Sequence, residues 1–300
     1  MNELTTLERR ALAKISTPAG GMLIVAADQR NGMKAVMKDA PNGAEGISRD
    51  ELADAKSDLL KHLGNAAPAI LLDPSTALPR VVDDGTLDSD TGLVVAMDES
   101  GFAVENGLKR TRYVEGMTPR KVRELGGDAA KMLWYLRADR RDDEKVVLDD
   151  IARLTAECEA EGVLLIVEIL TYQLEDESDE DYADVFPSLI SGAAELSVAA
   201  GAKVLKLQYA GSAEAAAAVT EAAAGVPWAV LSAGVDHATF VDQVRTAVVN
   251  GARGAMAGRS LWKDSLSISS EKREELLTTK AVPRLKELAA IIDEVLANRE

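Results

Sequence analysis

The chain has 300 residues, with 34 Lys and Arg against 50 Asp and Glu, a formal net charge of −16. A surface of that sign repels phosphate backbones and anionic lipid, which excludes nucleic acid and membrane surfaces as partners. Composition is 47% hydrophobic and 28% charged, enough for a globular core, and with aromatics at only 4% that core is built from Ala, Val, Leu and Ile. Such a core suits helices packed over buried parallel strands. A single cysteine, Cys158, forms no internal disulfide and falls in a helical stretch with no catalytic part. Two histidines, His62 and His237, cannot make a three-histidine metal site. The sequence lacks an apolar run of about 18 residues and an apolar core behind a basic N-terminal head, so the expectation is a cytoplasmic protein.

In chain order, a short helical stretch at 3–16 precedes the first short apolar run, GMLIVAAD (21–28). Ser48 with Glu51 three residues on forms a capping box ahead of the helix ELADAKSDLLKHLG. The runs PAILLDP (68–74) and GLVVAMD (92–98) follow, while residues 75–91 and 99–117 read as loops. Thr118 and Pro119 supply an N-cap and an N1 proline before RKVREL, which leads into AAKMLWYLR (129–137). Helical spacing at 142–161, 187–200, 212–224 and 237–250 then alternates with VLLIVEILTY (163–172), AKVLKLQYA (202–210), PWAVLSAG (227–234) and GAMAGR (254–259). Several of these helices end at a glycine suited to a left-handed cap, among them Gly162 and Gly251. The acidic segment 175–181 reads as a solvated loop, and 271–298 as a closing helix. Eight strands alternating with helices predict an α/β fold, a (β/α)8 TIM barrel with a short N-terminal helix and a C-terminal helix, as a single domain over 1–300. An open doubly wound sheet is the alternative.

In such barrels chemistry gathers where strands end. Lys206 stands among aliphatics in Val204-Leu205-Lys206-Leu207, where an unpaired ammonium costs several kcal/mol. Lys203, at the strand start and on the other face, reads as a snorkelling lysine. Glu168 interrupts LLIVEILTY, and a buried carboxylate needs a cation such as the lysine one strand on. Lys131 lies on the preceding strand, and Asp28 ends the first, with Gln29 and Arg30 behind it. Two lysines close together in an apolar pocket depress each other's pKa, and a neutral lysine attacks a carbonyl to form a Schiff base while a carboxylate moves protons. The last two strands add Ser232, Gly234, Gly258 and Arg259, the parts of an anion cradle.

These residues resemble the class I, Schiff-base-forming ketose phosphate aldolases over essentially the whole chain. AADQR (26–30), ILLDP (70–74), AAKMLWYLR (129–137), VEILTY (167–172), VLKLQ (204–208), WAVLSAGV (228–235) and AGRSLW (257–262) look like that family's strand motifs in order. The resemblance is to tagatose 1,6-bisphosphate aldolases and to the shorter 6-deoxy-6-sulfofructose 1-phosphate aldolases. It implies Lys206 as the Schiff-base lysine, Glu168 as acid and base, Lys131 as second lysine and Asp28 near the substrate hydroxyls. It also implies Ser232, Gly234, Gly258 and Arg259 around the C1 phosphate, with Gln29 and Arg30 toward the anion at C6. Where relatives carry a glutamate two residues after the lysine, Gln208 stands here.

The implied activity is aldol cleavage of a sugar phosphate to dihydroxyacetone phosphate and a three-carbon aldehyde, with no cofactor and no metal. The partner is the small-molecule substrate, and the reading allows a homo-oligomer. Arg110, Arg112, Arg137 and Arg140 lie near the presumed mouth, and the expectation is a positive pocket in a negative surface. Two other readings are a non-catalytic sugar-phosphate-binding barrel with Lys206 only ion-paired to Glu168, and a metal-dependent aldolase, which two histidines disfavour.

Overall fold

A computed structural model describes residues 2–299. Its strands are β1 (Met22–Ala27), β2 (Ala69–Leu72), β3 (Gly92–Ala96), β4 (Asp98–Glu105), β5 (Leu108–Tyr113), β6 (Ala129–Tyr135), β7 (Leu164–Leu170), β8 (Leu205–Leu207), β9 (Trp228–Leu231) and β10 (Gly254–Ala257). Eight of them run parallel and close into a barrel in the order β1, β2, β3, β6, β7, β8, β9, β10, with β10 paired back to β1. Closure rules out the open doubly wound sheet. The main helices around it are Arg49–His62, Lys145–Glu161, Asp179–Ala199, Ala213–Ala222 and His237–Val249, with Thr6–Lys14 before the barrel and Val282–Ala297 after it. Both expected N-terminal signals are made: Ser48 and Glu51 form a reciprocal capping box, and Thr118 Oγ1 accepts from Lys121 N–H ahead of Pro119.

Alternation along the strands sorts the side chains into two layers. Ile24 and Ala26, Leu71, Val94 and Ala96, Ala129, Leu164 and Ile166, Val204, Ala229 and Met256 form one buried cluster, the barrel lumen. Their neighbours Val25, Ile70, Val95, Met132, Val167 and Leu207 pack against the helices. Continuing the lumen set by two residues on β1, β3, β6, β7 and β8 arrives at Asp28, Asp98, Lys131, Glu168 and Lys206. The polar residues therefore form the last inward layer, at the end where the strands finish.

Three elements depart from the sequence reading. Residues 99–117 hold a β-hairpin, β4 and β5 in antiparallel pairing, in place of a loop. Its turn is Asn106-Gly107, with φ of 52° and 76°, the left-handed pair that a two-residue hairpin requires. The helix expected from 187 begins at Asp179, because Ser178 Oγ caps it through Asp181 N–H and Asp179, Glu180 and Asp181 complement the positive end of its dipole. The last three residues of the acidic segment are thus helix, not loop, and Pro187 lies inside the helix. The closing helix is also not continuous: Ser270–Leu276 and Val282–Ala297 are joined by a wider turn at Leu277–Ala281, ahead of Pro283, whose ring nitrogen has no proton to donate. No helix is long and apolar enough to cross a membrane among the described residues.

Candidate active site

At the strand ends the barrel opens into a cavity of about 630 Å³, lined by Asp28, Gln29, Arg30, Lys131, Glu168, Lys206, Ser232, Gly234, Gly258 and Arg259, so every residue named for the site faces one space. The shared wall follows from the register: Glu168 on β7 is the cross-strand partner of Lys206 on β8, and Leu133 on β6 is that of Glu168. Glu168 Oε2 lies 2.8 Å from Lys131 Nζ and 3.0 Å from Lys206 Nζ. Neither contact has hydrogen-bond alignment, so one carboxylate oxygen bridges two ammonium groups by charge alone. All three side chains are at most 7% exposed, where such attraction is weakly screened.

Lys131 is the hub of this network. Besides Glu168 it donates to Asp28 Oδ2 at 2.9 Å and to Asp98 Oδ1 and Oδ2 at 2.9 and 3.1 Å. Burial works against its charged form, but Asp28, Asp98 and Glu168 outweigh burial and raise its pKa well above the usual lysine value. Mutual depression of two lysines is therefore not what happens at Lys131, which stays charged because three carboxylates surround it. Burial likewise opposes ionisation of Asp28, yet Lys131 and then Lys206 hold its carboxyl down at about 2. Asp98 goes the other way: burial, reinforced by Asp28 and Glu168, raises it despite Lys131.

Asp98 was not among the residues read from the sequence. It lies two residues beyond the end of β3, anchors the Lys131 ammonium, accepts from Leu133 N–H at 3.2 Å and opens the hairpin strand β4. The hairpin packs over the mouth through Phe102, edge-on to Tyr135 at 5.2 Å, with Lys109 Nζ 4.5 Å above the Phe102 ring. Arg30 ties the loops together, reaching Ser75 Oγ, Ser100 Oγ and the Asp98 carbonyl. A buried ion pair between Lys56 and Asp73, also unnoticed in the sequence, holds the loop after β2.

Other placements differ from expectation. Gln29 Nε2 donates to Asp28 at 2.9 Å, which leaves its buried Oε1 without a partner. With one Nε2 proton on Asp28, the second remains available to an anion, while Oε1 can take a substrate hydroxyl. Gly258 N–H is spent on Ser232 Oγ at 3.3 Å, whereas Gly234 N–H has no backbone acceptor among the described residues. Gln208 lines the cavity, and its Oε1 accepts from Thr171 N–H at 2.8 Å.

Arg110, Arg112 and Arg137 pair with Glu144, Glu99 and Glu177, and neither they nor Arg140 line the cavity. The cavity wall carries four cations, Arg30, Lys131, Lys206 and Arg259, and four carboxylates, Asp28, Asp98, Glu99 and Glu168. The pocket is formally neutral as a whole, which corrects the expectation of a positive one. Only its two flanks are locally positive: the lysines absorb three carboxylates and Arg112 the fourth, so Arg30 and Arg259 face the space unneutralised. Lys203 does not snorkel; it is 7% exposed and ion-paired to Glu8 and Glu159 at 2.7 Å each. Neither histidine reaches the cavity, and no group of three His, Cys, Asp or Glu side chains is arranged to hold a metal among the described residues.

Residues 22–264 match the family model described as DeoC/LacD family aldolase. The chain is 26% identical over 318 aligned positions to a tagatose 1,6-diphosphate aldolase of Lactococcus lactis subsp. lactis, covering 96% of each protein. It is 28% identical over 290 positions to the tagatose 1,6-diphosphate aldolase of Streptococcus pneumoniae serotype 4, covering 88% of this chain and 87% of that one. Among solved structures, an archaeal fructose 1,6-bisphosphate aldolase superposes with a TM-score of 0.69 at 17% identity, over 96% of this chain and 100% of the other. A fructose-bisphosphate aldolase from Slackia heliotrinireducens gives 0.66 at 17% identity, over 99% and 92%. These two share the barrel fold. With the family model spanning most of the chain and all eight barrel strands, the protein belongs to the DeoC/LacD family of aldolases.

Proposed function

We propose that this aldolase reversibly cleaves a ketohexose 1-phosphate with an anionic C6, of the tagatose 1,6-bisphosphate type, to dihydroxyacetone phosphate and a three-carbon aldehyde through a Schiff base on Lys206. The observation that carries this reading is Glu168 Oε2 set between Lys206 and a permanently charged Lys131 on the wall of the cavity. A lysine whose only ion-pair partner is a shared carboxylate can pass its proton to that carboxylate and attack the C2 carbonyl as the amine. The carbinolamine then loses water as Glu168 returns the proton to the leaving hydroxyl. The resulting iminium accepts the electron pair of the C3–C4 bond when the C4 hydroxyl gives its proton to the Glu168 carboxylate, which holds it for C3, releasing the aldehyde and leaving an enamine. Protonation at C3 and hydrolysis of the iminium free dihydroxyacetone phosphate and regenerate Lys206. In this reading Lys131 keeps Asp28 ionised, and Gln29 Oε1 receives a substrate hydroxyl.

Arg259 serves the C1 phosphate, with Ser232, Gly234 and Gly258 shaping its seat. Gly234 has φ of 84°, and a Cβ there would lie 3.0 Å from Arg259 Cζ. Gly234→Ala is therefore expected to displace the guanidinium and raise KM by about tenfold with a smaller change in kcat, because the phosphate is held alike in ground and transition states. An unchanged KM in steady-state kinetics would remove Arg259 from the phosphate seat.

The covalent step has a direct test. Borohydride added to the enzyme with dihydroxyacetone phosphate is expected to leave a stable adduct on the peptide that carries Lys206. No adduct by intact mass, or an adduct mapped to Lys131, overturns the proposal, and the first result would favour the non-catalytic binding barrel. One observation supports a second reading of the substrate. At the flank toward the loops after β2 and β3, Arg30 is the single cation, and a sulfonate bears one charge where a phosphate bears nearly two. Relative kcat/KM for tagatose 1,6-bisphosphate, fructose 1,6-bisphosphate and 6-deoxy-6-sulfofructose 1-phosphate decides between them.

A further inference from the structure

At the opposite end of the barrel, where the strands begin, lies a larger cavity of about 1000 Å³, bounded by the N-terminal helix, the starts of β1 and β9 and the C-terminal residues. Among the described residues its wall holds Arg9, Arg253 and Arg299 and no Asp or Glu. In a chain where 50 of 300 residues are acidic, that is a local reversal of charge. The cavity at the strand ends, by contrast, carries as many carboxylates as cations. Arg9 donates to Leu4 O and Thr6 Oγ1 and Arg299 to Ala252 O, all of them neutral acceptors. No carboxylate pairs with any of the three guanidiniums among the described residues. The nearby Asp293 instead accepts from Thr17 Oγ1 at 2.5 Å.

Arg253 and Arg299 are close enough to repel: burial, and then the charge of Arg253, pull Arg299 below the usual arginine value. Two guanidiniums facing one space without an acid are what a dianion neutralises, through paired charge-assisted hydrogen bonds. Leu12, Pro18 and Pro227 give the same cavity an apolar wall, which water solvates poorly and a carbon skeleton covers well. We propose that this cavity binds a small organic phosphate, with its phosphate on Arg253 and Arg299, Arg9 at the rim and its carbon body on the apolar wall. The site is separate from the aldol chemistry and stands or falls independently of the Schiff base.

Phenyl phosphate, titrated calorimetrically into the full chain, tests it. Binding is expected in wild type and in Arg259→Ala, which weakens only the catalytic cavity. It should be at least about tenfold weaker in Arg253→Gln/Arg299→Gln and absent in Arg253→Glu/Arg299→Glu, with kcat/KM for ketose cleavage unchanged in both double variants. Both arginines are exposed, so these variants keep the fold, which circular dichroism checks. Binding that survives the glutamine pair, or vanishes with Arg259→Ala, overturns the proposal. So does inorganic phosphate binding as tightly as phenyl phosphate, which would leave no role for the apolar wall. A dimer that dissociates in the Arg253→Glu/Arg299→Glu variant also overturns it, because a second copy of the chain would then fill the cavity.

Discussion

Lys206→Ala is expected to lower kcat/KM for ketose cleavage by about 10⁴-fold or more while the barrel stays folded. The loss is large because no other amine can take its place. Lys131, the other cavity lysine, is bound by Asp28, Asp98 and Glu168 and cannot give up its proton at neutral pH. The fold survives because Glu168 keeps Lys131 at 2.8 Å, so the substitution leaves no buried carboxylate without a cation. Activity, borohydride labelling and thermal unfolding on one preparation separate these effects. A variant that keeps a tenth of the wild-type rate, to within about threefold, would end the case for a covalent mechanism at this residue.

Lys131→Met has the second largest expected effect, and it strikes stability as well as rate. It leaves Asp28, Asp98 and Glu168 facing one another with only Lys206 nearby. Stripping the cation from a buried pair costs about 3–5 kcal/mol. If Glu168 carries the proton as proposed, disturbing it adds a loss of about 10²-fold in kcat. The stability loss should depend on pH in a defined sense. Asp28 has a folded pKa of about 2, below the unfolded value of about 3.9, so its stabilisation is present above that value and is lost as pH falls through about 2. Lys131 is raised instead, so its own contribution persists below its usual value of about 10.4 and fades only as pH climbs through the higher folded value. The gap between wild type and Lys131→Met should therefore be flat from neutral pH to about 9 and shrink from about 4 down to 2. Denaturant unfolding across that range measures it, and a constant gap down to the acid end would contradict the assigned charges.

Much of the architecture could be read from periodicity and caps, since the eight apolar runs are the eight barrel strands and the Ser48 and Thr118 caps sit where expected. The hairpin was legible too, through Asn106-Gly107 between β-rich flanks, but the expectation of one helix per unit made 99–117 read as a loop. Asp98 shows why a site is harder to read than a fold. Alternation through Val94 and Ala96 points Asp98 inward, as Ile24 and Ala26 point Asp28. The same step through Ala69 and Leu71 singles out Asp73, which pairs instead with Lys56 from the helix layer. Nothing local distinguishes the two aspartates; the difference lies in which long-range cation each meets. The charge state of Lys131 was misread for the same reason, because one of its three carboxylates had not been counted.

The placement of Asp28, Asp98, Lys131, Glu168 and Lys206 two residues beyond the last lumen-facing aliphatics has a consequence for how such a sequence can change. Deleting one residue between Leu164 and Glu168 would turn that carboxylate from the barrel axis into the helix layer, whereas a change of length in 99–112 alters only the hairpin and leaves every barrel strand in phase. Insertions and deletions are thus confined to the connections, and these carry Arg30, Ser100 and the Asn106 turn. The rim of the cavity is free to drift in length as well as in residue type, whereas Lys206 can be substituted in place but not shifted along its strand.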